Sequence, residues 1–144
     1  MSSLDQITVL AKNSKGYENL MNLISIAYEN RKSMNNTAIT YDELAKHNEG
    51  LILISGGMEG NLGKCFVNEL PTTKIINFYQ RYFEDRYYIE LFKIKKPKEE
   101  KYTNLAVDFA QHHGIPLVAT NAVCFVEKQD FKTHEIRVAI NRGH

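Results

Sequence analysis

Apolar residues along this chain fall into two alternating patterns, short continuous runs and longer stretches with helical spacing. The runs Ile7–Ala11, Leu51–Ser55, Tyr87–Leu91 and Ile115–Ala119 read as strands. The first reads as a buried strand, the second is continuous and apolar as expected where both faces are covered, and the fourth is apolar on both parities, with Pro116 at its start, where one is tolerated. From Tyr17 to Asn30, apolar residues at 17, 20, 21, 24, 27 and 28 share one helical face. Leu23 and Ile26 widen it, so this helix is expected to be covered on more than one side. Residues 31–39 are polar and aperiodic, a connection. Thr40 and Glu43 then have the spacing of a capping box that opens a short helix ending near His47–Gly50.

The same reading continues past the second strand. Gly56, Gly57, Gly60 and Gly63 match neither GxGxxG nor GxxxxGK[ST], so they predict tight turns leading into a helix over Lys64–Asn68. A helix follows Pro71, with Ile75, Ile76, Tyr79, Tyr82 and Phe83 on one side. Pro97 suits the first turn of the next helix, and the charged run Lys93–Lys101 reads as a solvated loop and helix start. Tyr102, Leu105, Ala106, Phe109 and Ala110 form that helix's buried stripe, and Gly114 closes it. His112 and His113, in its last turn, read as surface residues complementing the helix terminus. After Thr120-Asn121 and a loop, Asp130 is placed to cap a helix carrying Phe131, His134, Glu135 and Val138 on one face. Four strands alternating with helices predict an α/β fold with all strands parallel and their carboxyl ends on one rim, where such folds place their chemistry.

Composition narrows the class of protein. With 144 residues and 43% hydrophobic content, the chain has the size and apolar fraction of one globular domain. Eighteen basic against seventeen acidic residues give a net charge of +1, which argues against strong direct nucleic-acid binding. No apolar run approaches the roughly 20 residues needed to span a bilayer. The opening MSSLDQ lacks the basic and apolar regions of a signal peptide, so a cytoplasmic location is expected. Cys65 and Cys124 stand far apart without CxxC spacing, which predicts two thiols rather than a disulfide framework or zinc site.

Three ordered stretches carry a family resemblance: ITVLAKNSKGYENLMNLIS at 7–25, EGLILISGGMEGNLGK at 49–64 and LVATNAVCFVEKQDFKTHEIRVAI at 117–140, with DRYYIEL at 85–91 between them. They resemble the PHP (polymerase and histidinol phosphatase) domain at the amino end of bacterial DNA polymerase III α subunits, of the proteobacterial type through SGGMEG and THEIRVAI. The resemblance implies part of a distorted (β/α)7 barrel across residues 1–144. The first strands with their HxH motif, and the downstream polymerase body with its magnesium-binding acidic residues, are expected to lie outside the chain.

Active members of that family hold divalent metals with His, Asp, Glu and sometimes Cys, because imidazole, carboxylate and thiolate groups bind such ions tightly and let them activate water. At the matching positions this chain has Gln6 for a histidine, Gly57 for a cysteine, and Ala122 and Cys124 for the Asp-x-His after Ala-Thr-Asn. His134 remains, with Glu135 beside it, in THE where the family has AHE or AHD. No catalytic, metal-binding or nucleic-acid-binding residue is therefore expected, and no cofactor; His134 reads as a hydrogen-bonded helix residue and Cys124 as a thiol without a flanking base. What the resemblance implies is a degenerate, non-catalytic module that supports the rest of the polymerase α subunit and docks the proofreading exonuclease subunit. The alternative, a metal-dependent phosphoesterase or 3′–5′ exonuclease, is opposed by the four substitutions. A free-standing small-molecule binder would need a ligand motif that the chain does not display.

Overall fold

Leu51–Ile54 (β2) and Tyr87–Leu91 (β3) form the centre of the molecule, because their alternate side chains Leu51, Leu53, Tyr87 and Ile89 are almost fully removed from water. The computed structural model describes residues 4–30, 37–121 and 123–143. In chain order it contains β1 (Thr8–Ala11), α1 (Ser14–Glu29), α2 (Tyr41–Lys46), β2, α3 (Asn61–Asn68), α4 (Thr73–Phe83), β3, α5 (Glu99–His113), β4 (Leu117–Ala119) and α6 (Phe131–Arg142). The strands form one open sheet in the order β1-β2-β3-β4, flanked by helices. Leu62 and Phe66 of α3, Tyr79 and Phe83 of α4, and Tyr102 and Ala106 of α5 pack onto the central strands. Burial of such side chains contributes about 1.5–3 kcal/mol each.

Local chemistry follows the sequence closely. Thr40 and Glu43 form the reciprocal capping box of α2, and Gly114 closes α5 in a left-handed conformation (φ 65°). Asn13 opens α1, its side-chain oxygen accepting the Gly16 N–H at 2.9 Å. Asp130 does not cap α6. It is itself nearly helical, and its carboxylate accepts the Glu127 N–H at 3.1 Å within the preceding 3-10 turn. Pro97 also falls outside α5, which starts two residues later at Glu99.

The expectation of four parallel strands is corrected by β1, which pairs antiparallel to β2 (Thr8 opposite Ile54, Ala11 opposite Leu51), whereas β2–β3 and β3–β4 are parallel. The reason lies in how the chain returns after α1. Lys12 N–H donates to the Gly50 carbonyl at 2.8 Å, and the buried Asn19 amide donates to Glu49 O at 2.8 Å. The end of β1 and the start of α1 are thereby fastened to the residues that lead into β2.

The outer strands also differ from expectation. Leu10 of β1 is 47% exposed and Leu117 of β4 is 41% exposed, so neither run is buried on both faces. They form the two edges of the sheet. In α1 the buried face is Gly16, Asn19, Leu23 and Ala27, while the stripe Tyr17, Met21, Ile24 and Tyr28 faces outward.

Candidate functional site at the rim of the sheet

Because β1 runs antiparallel, its amino end meets the carboxyl end of β2. Gln6 N–H donates to the Glu59 carbonyl at 3.1 Å. A Cβ on Gly56 (φ 76°) would stand 2.0 Å from the Gln6 carbonyl oxygen, so only glycine allows this approach. Between this rim and helices α1 and α2 opens a cleft of about 760 Å³. Leu20, Leu23 and Leu44 form part of its apolar wall, and Asn61, Tyr41 and Tyr79 its polar floor.

Asn61 organises the floor. Its amide donates to the hydroxyls of Tyr41 and Tyr79 (2.8 Å to the latter), and its carbonyl accepts the Leu62 N–H at 2.6 Å. Tyr79 is 1% exposed and stacks on Tyr87 with ring centroids 4.1 Å apart. Burial drives the Tyr79 and Tyr87 hydroxyls well above the ordinary phenol range and raises Tyr41 as well, so all three stay neutral. The Tyr87 hydroxyl is buried without a hydrogen-bond partner among the described residues.

The carboxylates at the rim are engaged. Glu90 accepts the Thr120 hydroxyl at 2.6 Å, Glu59 pairs with Lys96 at 3.6 Å, and Asp5 pairs with Lys64 at 2.7 Å. Ser55 is buried, its hydroxyl oxygen accepting the Glu90 N–H at 3.0 Å, and burial followed by the charge of Asp5 pushes the Cys65 thiol up. Neither hydroxyl nor thiol is activated as a nucleophile by this arrangement.

The positions singled out in the sequence are placed as follows. Gln6 and Gly57 come to the same rim. Gly57 is buried, with φ 56°, and a Cβ there would lie 2.1 Å from the Phe92 ring. Phe92 thus fills the space that any side chain at 57 would need. Ala122 lies outside the described residues. Cys124 is exposed and forms no disulfide, and neither it nor His134 lines the cleft. His134 is half-buried on α6, its ring 5.6 Å from that of Phe125, and Glu135 is exposed. Among the described residues no three His, Cys, Asp or Glu side chains gather so as to hold a metal ion. With a carboxamide at 6 and an aromatic ring over 57, the described residues at this rim offer no cluster of metal-ligating side chains. Sequence reasoning missed Phe92, Asn61 and the Glu90–Thr120 pair; Phe92 and Thr120 stand just beyond strand ends, whereas Glu90 lies within β3 and Asn61 opens α3, where no local pattern marks them.

No helix among the described residues is long and apolar enough to cross a membrane. Comparison with known proteins identifies a PHP domain over residues 2–93. The chain is 44% identical over 146 residues to the DNA polymerase III subunit alpha of Buchnera aphidicola subsp. Acyrthosiphon pisum, covering 99% of this chain. It is 44% identical over 142 residues to that of Escherichia coli K12 and 41% identical over 143 residues to that of Vibrio cholerae, covering 97% and 98% of this chain. In each case it spans 12% of the relative's length.

Proposed function

The chain belongs to the PHP domain family, in the form carried by DNA polymerase III α subunits, and from that premise we propose that it is a non-catalytic docking module of the replicative polymerase. Its open four-stranded sheet is read as part of a PHP-type (β/α)7 barrel spanning residues 1–144. Gln6, Gly57, Ala122 and Cys124 are read as ligand positions that have lost their donors, with His134 as a residue of the former set. The occupation of the Gly57 space by Phe92 supports this reading, because restoring a donor there would first require the ring to move.

One observation carries the docking role. Apolar side chains stand exposed in coherent stripes, Tyr17, Met21, Ile24 and Tyr28 on α1 and Ile136 and Ile140 on α6. Contiguous exposed apolar surface marks interaction sites in soluble domains. The partners proposed are the remainder of the polymerase α subunit and the proofreading exonuclease subunit. Immobilised exonuclease subunit should retain the purified chain, and Ile24→Asp or Ile136→Asp should weaken retention with folding intact by circular dichroism. Undiminished binding by both variants would overturn the assignment of these faces. Calorimetric titration with zinc or manganese should reveal no stoichiometric site, and p-nitrophenyl phosphate should not turn over. Metal-dependent hydrolysis abolished by His134→Ala would reverse the non-catalytic reading.

A further inference from the structure

Residues 93–98, between β3 and α5, separate two depressions at the rim. Ile94 lines the cleft of about 760 Å³, Lys93 and Lys95 line a groove of about 860 Å³ beside the end of β4, and Phe92 and Lys96 line both. The loop is therefore a partition between them. Its ends are held firmly. Phe92 is seated against the Gly57 turn, with its ring centroid 6.3 Å from that of Tyr102. Glu99, in the first turn of α5, is only 9% exposed, and a single carboxylate oxygen, Oε2, accepts the N–H groups of both Ile94 (2.8 Å) and Lys96 (3.3 Å). The middle is held more weakly. The Lys96 ammonium meets Glu59 at 3.6 Å across the rim, in a pair about half exposed on each side. Glu59 is fixed there, its carbonyl accepting the Gln6 N–H at 3.1 Å. Lys95 and Lys98 meanwhile hold left-handed backbone (φ 60° and 66°), which crowds the Cβ of any residue but glycine. The loop thus stores strain, offset by a carboxylate latch at one end and a weak clasp in the middle.

We propose that residues 93–98 are a gate between the two depressions, shut here by the Glu99 latch and the Lys96–Glu59 clasp, and that its opening joins them. In the open state Ile94 and Lys96 leave the cleft wall, their amides turn to water, and Lys95 and Lys98 relax from left-handed backbone. Phe92 and Glu99 stay in place as the two hinges, because each is held by elements that do not move: Phe92 by the Gly57 turn, Glu99 by α5. Opening loses two charge-assisted hydrogen bonds and the clasp, while it relieves the strain and returns freedom to the loop. These terms oppose one another, so the gate opens locally while the sheet stays intact. The gate is a property of the chain alone and does not depend on the docking reading.

Amide hydrogen exchange followed by NMR tests the gate. The Ile94 and Lys96 amides should be far less protected than the Ile89 amide, which donates to the Pro116 carbonyl at 3.0 Å within the sheet. Their exchange should be nearly independent of dilute urea, whereas that of Ile89 should rise with it, because a local opening exposes little surface. Glu99→Ala should speed exchange at Ile94 and Lys96 at least about tenfold, as expected for loss of two hydrogen bonds to a charged group. Glu59→Gln touches neither amide, yet it should speed both about two- to fivefold, the worth of an exposed ion pair, and high salt should erase that difference. Lys95→Gly should slow both about twofold or more, since glycine holds left-handed backbone without strain. The apolar dye anilinonaphthalene sulfonate should fluoresce more with Glu99→Ala than with the parent. Lys101→Gln, which breaks the exposed pair with Glu69 at 2.6 Å outside the loop, should leave the dye signal unchanged. Exchange at Ile94 and Lys96 unaltered by Glu59→Gln at low salt would overturn the gate, because Glu99 would then hold these amides locally without the loop moving as a body. Protection and urea dependence equal to those of Ile89 would overturn it as well, by showing that the loop opens only when the fold does. Dye fluorescence unchanged in Glu99→Ala, or raised equally by Lys101→Gln, would overturn the joining of the two depressions.

Discussion

Gly16 and Gly50 touch backbone to backbone: a Cβ added to Gly16 would stand 1.9 Å from the Gly50 carbonyl oxygen, and one added to Gly50 would stand 2.5 Å from the Gly16 nitrogen. This contact seats the first turn of α1 on the entry to β2 and so sets the antiparallel direction of β1.

Gly16→Ala should therefore destabilise the fold, although alanine is ordinarily the better helix former. The clash is with backbone, which cannot swing aside, and overpacking of this kind costs about 1–3 kcal/mol. Urea unfolding should show a lower midpoint for Gly16→Ala. A midpoint equal to or above the parent would mean that α1 seats differently.

Arg86 ties three segments together. Its guanidinium donates to the carbonyls of Asn48 (2.6 Å), Leu51 (2.8 Å) and Tyr82 (2.8 Å) and lies 5.1 Å from the centre of the Phe83 ring. A lysine has no planar fork to reach all three acceptors. Charged hydrogen bonds of this kind are worth about 1.5–3 kcal/mol each, so Arg86→Lys should lower the thermal midpoint by several degrees. An unchanged midpoint would show the carbonyls to be satisfied otherwise.

Phe92 and the Gly57 turn should be energetically coupled. Gly57→Ala should destabilise the chain through both its left-handed backbone and the collision with the Phe92 ring. Phe92→Ala should remove the collision, so the two changes together should cost less than the sum of each alone. Strict additivity in the double-mutant cycle would show that the ring is not the obstacle.

Alkaline unfolding should be driven by buried tyrosines. Burial pushes the Tyr102 hydroxyl up to about 12 and raises Tyr79 and Tyr87 as well. Unfolding exposes phenols that release protons near pH 10, so above that pH the unfolded chain binds fewer protons than the folded one and stability falls. The contribution is complete below about pH 10 and lost as pH rises through about 12. Tyrosinate absorbance from these residues should emerge together with loss of circular dichroism. Full tyrosine ionisation with the helical signal intact would contradict their burial.

The sequence by itself determined the features written in short-range spacing. The capping box of Thr40 and Glu43, the closing turn at Gly114, the helix after Pro71 and the strand at Tyr87–Leu91 all stand where periodicity and turn chemistry place them. Motif order likewise carried the family. Tertiary structure alone decided the direction of β1, because an apolar run has the same pattern in either direction and the contacts with the distant Glu49 and Gly50 select one. It also decided which face of α1 is buried, since Tyr17 and Leu20 are alike in polarity but only one side meets the core. At the rim, sequence could name Gln6 and Gly57 but not Phe92, which reaches Gly57 across 35 residues through the pairing of β2 with β3. Caps and turns are satisfied by neighbours within a few residues, whereas strand direction, edge exposure and the filling of the space over Gly57 depend on what the fold brings alongside.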